Sequence, residues 1–243
     1  MRGTLILTML VSSFLSYSQD PYLFIGTYTS GTSKGIYVYH FNTTTGANKE
    51  VSTLMTPNPS YLCLSGNGKH LYATSEEGTG GSVSAFAFEP STGQLAFLNS
   101  QSAGGTCTCY VTEDKTGKWI FAANYCSGTL AAIPVNSDGS LAPAAQVIQQ
   151  TGQGTDTSRQ QSSHVHSTIL SPDEKYLFTA DLGTDKEHIY AFNPAQNIPL
   201  TSAADSVASL AGGTGPQTYC VLTEWKNCLH IRGTKWHSGC VYL

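Results

Sequence analysis

One unit recurs along this chain: an apolar run after a Gly-Lys or Asp-x-Lys turn, a polar loop, then a second alternating run. It reads FIGTYTSGTSKGIYVYHFNTTTG from Phe24, GKHLYATSEEGTGGSVSAFAFEPSTG from Gly68, GKWIFAANYCSGTLAAIPVNSDG from Gly117, and EKYLFTADLGTDKEHIYAFNPAQ from Glu174. Lys69, Lys118 and Lys175 set the period at 49 and then 57 residues. That is too long for a leucine-rich or ankyrin unit and suits a four-stranded propeller blade of roughly 40 to 50 residues with loop insertions.

Side chains alternate within each unit, as in Ile36-Tyr37-Val38-Tyr39 and Val83-Ser84-Ala85-Phe86. Gly, Asn, Asp and Ser mark the hairpin turns between them. A blade buries its apolar faces only against its neighbours, and a propeller shields its strand edges by closing a ring. The expected fold class is therefore all-β, a β-propeller with about four to five blades in this chain. Low charge, 12% of residues, and 24 glycines fit turn-rich β structure in one domain.

A net charge of -4, with no Lys/Arg cluster, leaves no electrostatic footprint for nucleic acid or an anionic membrane. Residues 1–19 combine Arg2, an apolar stretch from Leu5 to Leu15, and Ser16 and Ser18 before Asp20-Pro21. This is the layout of a secretory signal peptide, too short to span a bilayer. A periplasmic or secreted protein is expected. The chain has seven cysteines, an odd number. Strand alternation puts Cys107 and Cys109 on one face, and with no partner identifiable from sequence both read as buried structural thiols.

The alternation stops after Pro216, and residues 217–243 hold two of the three tryptophans and three of the seven cysteines. Read with the frame shifted by one base and with permitted codons, Gln217 onward becomes RHIVFSPNGKTAYILEELSGTVVVFI. That is a fifth copy of the unit, beside SPDEKYLFTADLGTDKEHIYAF from Ser171. The expected organisation is a leader over 1–19, a partial propeller over 20–216, and a frameshifted tail over 217–243 through which no blade can be drawn. The truncated form is expected to be inactive.

The motifs FIGTYTSG, Ala123-Asn124-Tyr125 followed by Ser127-Gly128-Thr129, HVHSTILSPDEKYLFTADLGTD from His164 to Asp185, and Gly215-Pro216 resemble those of the lactonase group of seven-bladed propellers. That group includes bacterial-type 6-phosphogluconolactonases and fungal carboxy-muconate lactonizing enzymes. The resemblance implies a site at the mouth of the central channel that opens a sugar or muconate lactone. Its catalytic set would be a His, an Arg after Gly-Pro, and a Glu about a strand further on. His166 matches the first; the Arg falls where Gln217 stands and the Glu where Gly233 stands.

The chemistry fits those residue types. Hydrolysis needs a base for the attacking water, which a histidine of ordinary pKa about 6.5 supplies. It also needs a cation for the charge growing on the carbonyl oxygen. No metal or other cofactor is required. His164 shares a face with His166 if both are in strand, and the pair could chelate a metal, although spacing places no third ligand. His164, Asn124, Glu77 and Asp181 are the candidate substrate contacts, with turn formation as the plain alternative for Asn124, Glu77 and Asp181. Arg159, in a polar insertion, could guide an anionic substrate. The rival to a lactonase is a non-catalytic propeller presenting a face to a protein or glycan.

Overall fold

The computed structural model describes residues 21–221 and 228–232. The leader expected over residues 1–19 lies outside them, as does Gly233. Every strand pairing is antiparallel, and the strands fall into consecutive sheets in chain order. The first sheet holds β1 (Tyr22–Gly26), β2 (Gly35–Phe41) and β3 (Asn48–Met55). The second holds β4 (Leu62–Leu64), β5 (His70–Ser75), β6 (Ser82–Glu89) and β7 (Gln94–Ser102). The third holds β8 (Thr108–Glu113), β9 (Trp119–Asn124), β10 (Thr129–Pro134) and β11 (Gln146–Gln149). The fourth holds β12 (Val165–Leu170), β13 (Tyr176–Asp181), β14 (Lys186–Phe192) and β15 (Leu200–Ser209).

Each sheet is a meander of hairpins, which is the local consequence of the repeat: an apolar run, a turn, another run. Stacking explains why the middle strands read as continuous apolar runs rather than clean alternation. All of β9, Trp119–Asn124, is buried because both of its faces meet another sheet. Ile120 and Ala122 pack with Tyr72, Val83 and Ala85 of the second sheet. Trp119 and Phe121, on the opposite face, pack with Leu177, Tyr190 and Phe192 of the fourth. Ile36 meets Leu71, Ala73 and Phe86 between the first two sheets. Full burial of such side chains contributes about 1.5–3 kcal/mol each, so the sheets stabilise one another rather than themselves. On β1, where no preceding sheet is described, Leu23 and Ile25 are 37% and 40% exposed.

Part of the tail lies within the described residues. β16 (Pro216–Val221) pairs with β17 (Cys228–Arg232) and lies against β12 and β13, so a strand pair does run through part of residues 217–243. The run Thr218-Tyr219-Cys220-Val221 and the run Leu229-His230-Ile231 supply enough β-favouring residues to hold a ladder even without the repeat's alternation.

The turns at one end of the sheets, between the first and second strands, use one device three times. Ser65, Asp114 and Ser171 are buried there. Each accepts hydrogen bonds from backbone N–H groups of its own turn: His70 N–H to Ser65 Oγ, Trp119 N–H to Asp114 Oδ1, and Tyr176 N–H to Ser171 Oγ, at 2.9, 2.7 and 3.1 Å. The turn then needs a left-handed residue. Gly68 and Gly117 supply it at φ 68° and 64°, and Glu174 takes the same conformation at φ 53°. These turns also latch neighbouring sheets: Gly66 N–H donates to Glu113 Oε2 at 2.7 Å, and Lys115 N–H to both carboxylate oxygens of Glu174 at 3.0 Å.

Candidate active site

The opposite end, where the loops after β5, β9 and β13 lie, carries the candidate residues. Its organising feature is a β-bulge repeated on the first strand of successive sheets. In the third sheet Thr108 pairs with Asn124 and Tyr110 with Ala123, leaving Cys109 between them without a ladder partner. In the fourth, Val165 pairs with Asp181 and Ser167 with Ala180, leaving His166. In the fifth pair, Pro216 pairs with Arg232 and Thr218 with Ile231, leaving Gln217. A bulge inserts one residue and re-aims its side chain, and bulges concentrate beside active sites. Cys109, His166 and residue 217 thus occupy one register position on three adjacent first strands.

The bulges overturn two expectations that assumed unbroken alternation. His164 lies before β12, with its ring stacked on Tyr125 at a centroid distance of 4.4 Å and 9° between planes. His164 Nδ1 sits 2.9 Å from the Tyr125 carbonyl, which can only accept, so Nδ1 is the donor. His166 instead meets the Tyr125 ring edge-on, at 5.8 Å and 89°. The two imidazoles therefore do not form a chelating pair, and among the described residues no three His, Cys, Asp or Glu side chains gather as ion ligands. Cys107, a loop residue in the left-handed conformation at φ 55°, is bonded to Cys126, with Cα atoms 5.3 Å apart. It is not the buried free thiol read from sequence. Cys109 is free, and burial pushes its thiol up to about 12.

His166 is largely enclosed, and its Nδ1 has no hydrogen-bond partner among the described residues. Burial pulls its pKa below the ordinary histidine value, while the Gln217 backbone and the Glu76 carboxylate act in the other direction. The position at which the resemblance places an Arg is therefore beside the imidazole it would assist. Cys109 Sγ reaches the His166 carbonyl at 3.6 Å and the Val165 carbonyl at 3.8 Å, tying two bulges together.

The other candidates have the kind of loop and turn partners given as the plain alternative for them. Asn124 is fully buried, and its amide is spent on the Thr108 hydroxyl (2.6 Å), the Ala103 carbonyl (2.8 Å) and Thr129 Oγ1 (2.9 Å). Asp181 is likewise fully buried. It accepts from Ser163 Oγ at 2.7 Å, His164 N–H at 2.7 Å and Gly183 N–H at 3.0 Å, fixing the chain that enters β12. Glu77 is held by the Asn58 amide at 2.7 Å, a loop contact. Its neighbour Glu76 accepts from the Tyr28 hydroxyl at 2.7 Å, and its charge bears on His166. Burial, and then this Glu76 contact, push the Tyr28 phenol up to about 12.

Sequence reasoning misses Tyr28, Glu76, Tyr125 as a ring platform, and Asp185. Aligning Ser127-Gly128-Thr129 with Thr184-Asp185-Lys186 offers a signal for the last. Asp185 stands where a glycine stands one sheet earlier, at φ 56° against 64°, a conformation an L residue adopts at a cost. Its carboxylate accepts from Gly213 and Gly215 N–H at 2.8 and 2.7 Å, and so fixes the approach to residue 217. Arg159 lies exposed in a small cleft with Asp156, Gln160 and Gly213–Gly215, and its charge bears on His166.

This arrangement has counterparts. A 6-phosphogluconolactonase of Bacillus subtilis is 33% identical over 190 residues, 78% of this chain and 54% of that protein. A 6-phosphogluconolactonase of Formosa agariphila is 32% identical over 205 residues, 81% of this chain and 57% of that protein. The chain spans about half the length of these curated relatives. Among solved structures, the periplasmic gluconolactonase PpgL of Pseudomonas aeruginosa superposes with a TM-score of 0.76 at 35% identity, covering 81% of this chain and 57% of that one. A Bacteroides fragilis protein described as a candidate 6-phosphogluconolactonase gives 0.83 at 35%, covering 93% and 67%. The family model described as "Lactonase, 7-bladed beta-propeller" matches residues 22–222. With its consecutive antiparallel sheets and the bulged His166 between them, the chain belongs to this lactonase family of β-propellers.

Proposed function

We propose that the loop end of these sheets is the lactone-opening site of a 6-phosphogluconolactonase-like hydrolase, with His166 as its general base. The observation that carries the reading is the shared bulge register, which sets an enclosed imidazole, its Nδ1 unpartnered among the described residues, beside residue 217. An imidazole whose pKa is lowered by burial is neutral at neutral pH and holds a lone pair for the proton of an attacking water. The water oxygen bonds to the lactone carbonyl carbon, the ring C–O bond breaks, and the proton passes on to the departing alkoxide, giving the hydroxy acid. A cation at residue 217 would hold the charge growing on the carbonyl oxygen.

The proposal includes a shift of reading frame at codon 217: as written the chain has Gln there, and the reading applies to the protein with that frame restored. Arg159, exposed near His166, suits an anionic substituent such as a phosphate or carboxylate. Export is part of the proposal: the Cys107–Cys126 disulfide and the leader pattern both fit an oxidising compartment. In that setting an unphosphorylated aldonolactone is as fitting a substrate as a phosphorylated one.

The test is to sequence the DNA at codon 217, restore the frame, and assay hydrolysis of δ-gluconolactone and its 6-phosphate alongside His166→Ala. Turnover abolished by that substitution is the expected result. Full turnover in the variant removes the mechanism, and no turnover in the restored protein favours the binding scaffold.

A further inference from the structure

We infer that Tyr125 is a positioning residue for both imidazoles, held in place by the neighbouring Cys107–Cys126 disulfide; the inference rests on the lactonase reading and adds a residue to it. Tyr125 touches each histidine differently. Its ring covers His164 face to face at 4.4 Å, its carbonyl accepts from His164 Nδ1–H at 2.9 Å, and the ring stands perpendicular to His166 with centroids 5.8 Å apart. The carbonyl contact fixes the neutral His164 tautomer as Nδ1–H, which leaves Nε2 as the acceptor. The stack then fixes the plane in which that acceptor points. Tyr125 is thus the aromatic ring that joins the two histidines.

The residue is itself clamped on each side. Preceding it, Asn124 is buried with both ends of its amide satisfied. Following it, Cys126 is bonded across to Cys107, closing a span of 19 residues. Two backbone bonds lie beside the disulfide: Tyr125 N–H to the Cys107 carbonyl at 2.9 Å and Cys126 N–H to the Thr106 carbonyl at 3.2 Å. The Ser127 hydroxyl accepts from Thr106 N–H at 3.1 Å. Gly105 completes the clamp, since a Cβ there would collide with Ser127 Oγ and come within 2.7 Å of Asn124 Cβ. The two loops are thus fastened where they carry Tyr125. The corresponding loop of the fourth sheet, Leu182-Gly183-Thr184, has neither an aromatic residue nor a cysteine.

Two readouts test this. In the chain as it stands, imidazole nitrogen shifts report the His164 tautomer without any turnover. The Nδ1–H form is expected to dominate in the parent and in Tyr125→Phe. Tyr125→Ala keeps the carbonyl but removes the ring that holds the imidazole over it, so the form is expected to give way to a mixture there, and in the parent after a phosphine has reduced the disulfide to two thiols. In the frame-restored protein, Tyr125→Ala should lower kcat roughly ten- to hundred-fold, the cost of misplacing a catalytic group by about 1 Å, with KM little changed. Tyr125→Phe should restore kcat to near the parent value. Unchanged His164 shifts in Tyr125→Ala overturn the inference, as does a loss confined to KM, which would mean direct substrate contact. If the restored parent opens no lactone, the reading of activity fails while the nitrogen shifts still decide the role of Tyr125.

Discussion

The two ends of the sheets obey different rules. At the turn end, SGNGK from Ser65, DKTGK from Asp114 and SPDEK from Ser171 perform one task with interchangeable parts: a buried oxygen anchor, a left-handed residue, a lysine. At the loop end, the segments after Ser75, Asn124 and Asp181 read EEGTGG, YCSG and LGTD, and no two do the same thing. One holds Glu76, whose charge bears on His166, one carries a clamped tyrosine, and one leads to an aspartate that fixes the approach to residue 217. Repetition marks the end that makes the fold, and divergence marks the end that makes the chemistry. The bulges belong to both: they recur like structure, yet their residues, Cys109, His166 and Gln217, differ like function.

If that division is right, substitutions at the two ends should separate activity from stability. The largest effect is expected for His166→Ala in the frame-restored protein. Loss of a general base should cost about 10²- to 10⁴-fold in kcat/KM, with a urea midpoint close to the parent's. An equal loss of stability would blur the two ends. At the turn end, Asp114→Ala removes an acceptor serving the N–H groups of Lys118 and Trp119 at 2.9 and 2.7 Å. We expect a loss of about 2–3 kcal/mol in urea unfolding, with kcat/KM of the remaining folded protein unchanged. A change in kcat at full folding would break the comparison.

The pH dependence sharpens it. The base must be neutral to act, and burial lowers the His166 pKa, so activity should rise with pH along a limb whose midpoint lies below the ordinary histidine value of 6.5. The same shift has a stability sign. Below about pH 6.5 the unfolded chain binds a proton that the folded site resists, so folding weakens as pH falls. An acid limb centred above 6.5 contradicts the burial argument. The smallest effect is expected for Glu174→Gly. It removes a left-handed residue's strain of about 1–2 kcal/mol while losing the exposed contact with Lys115 N–H. Stability should stay within about 1 kcal/mol of the parent, on the favourable side, and a larger loss would mean that the inter-sheet latch outweighs the backbone strain.

The division also explains what can be read in advance. Alternating runs and Gly-rich turns are local, so the all-β sheets and their order follow from the repeat, and the continuous apolar run Trp119-Ile120-Phe121-Ala122 marks a strand covered on both faces. A bulge breaks parity by one residue and leaves no mark in composition. That is why alternation predicts a shared face for His164 and His166, and for Cys107 and Cys109, where the structure has none. The disulfide depends on two loops meeting in space, which no spacing in the sequence announces. Asn124 and Asp181 read as loop polar groups because sequence shows their type and not their burial; both are fully enclosed and spent on backbone and hydroxyl partners. His166 stands out through the motif around it, and the structure adds the neighbours Glu76, Tyr125 and residue 217.

A crystal structure of the frame-restored protein with an aldonic acid product bound would locate the chemistry at one end of the sheets. The product carboxylate is expected between the His166 imidazole and the side chain at 217, at the loop end of the bulged strands. A product seated at the turn end, or held only by residues of one sheet away from His166, would contradict that placement.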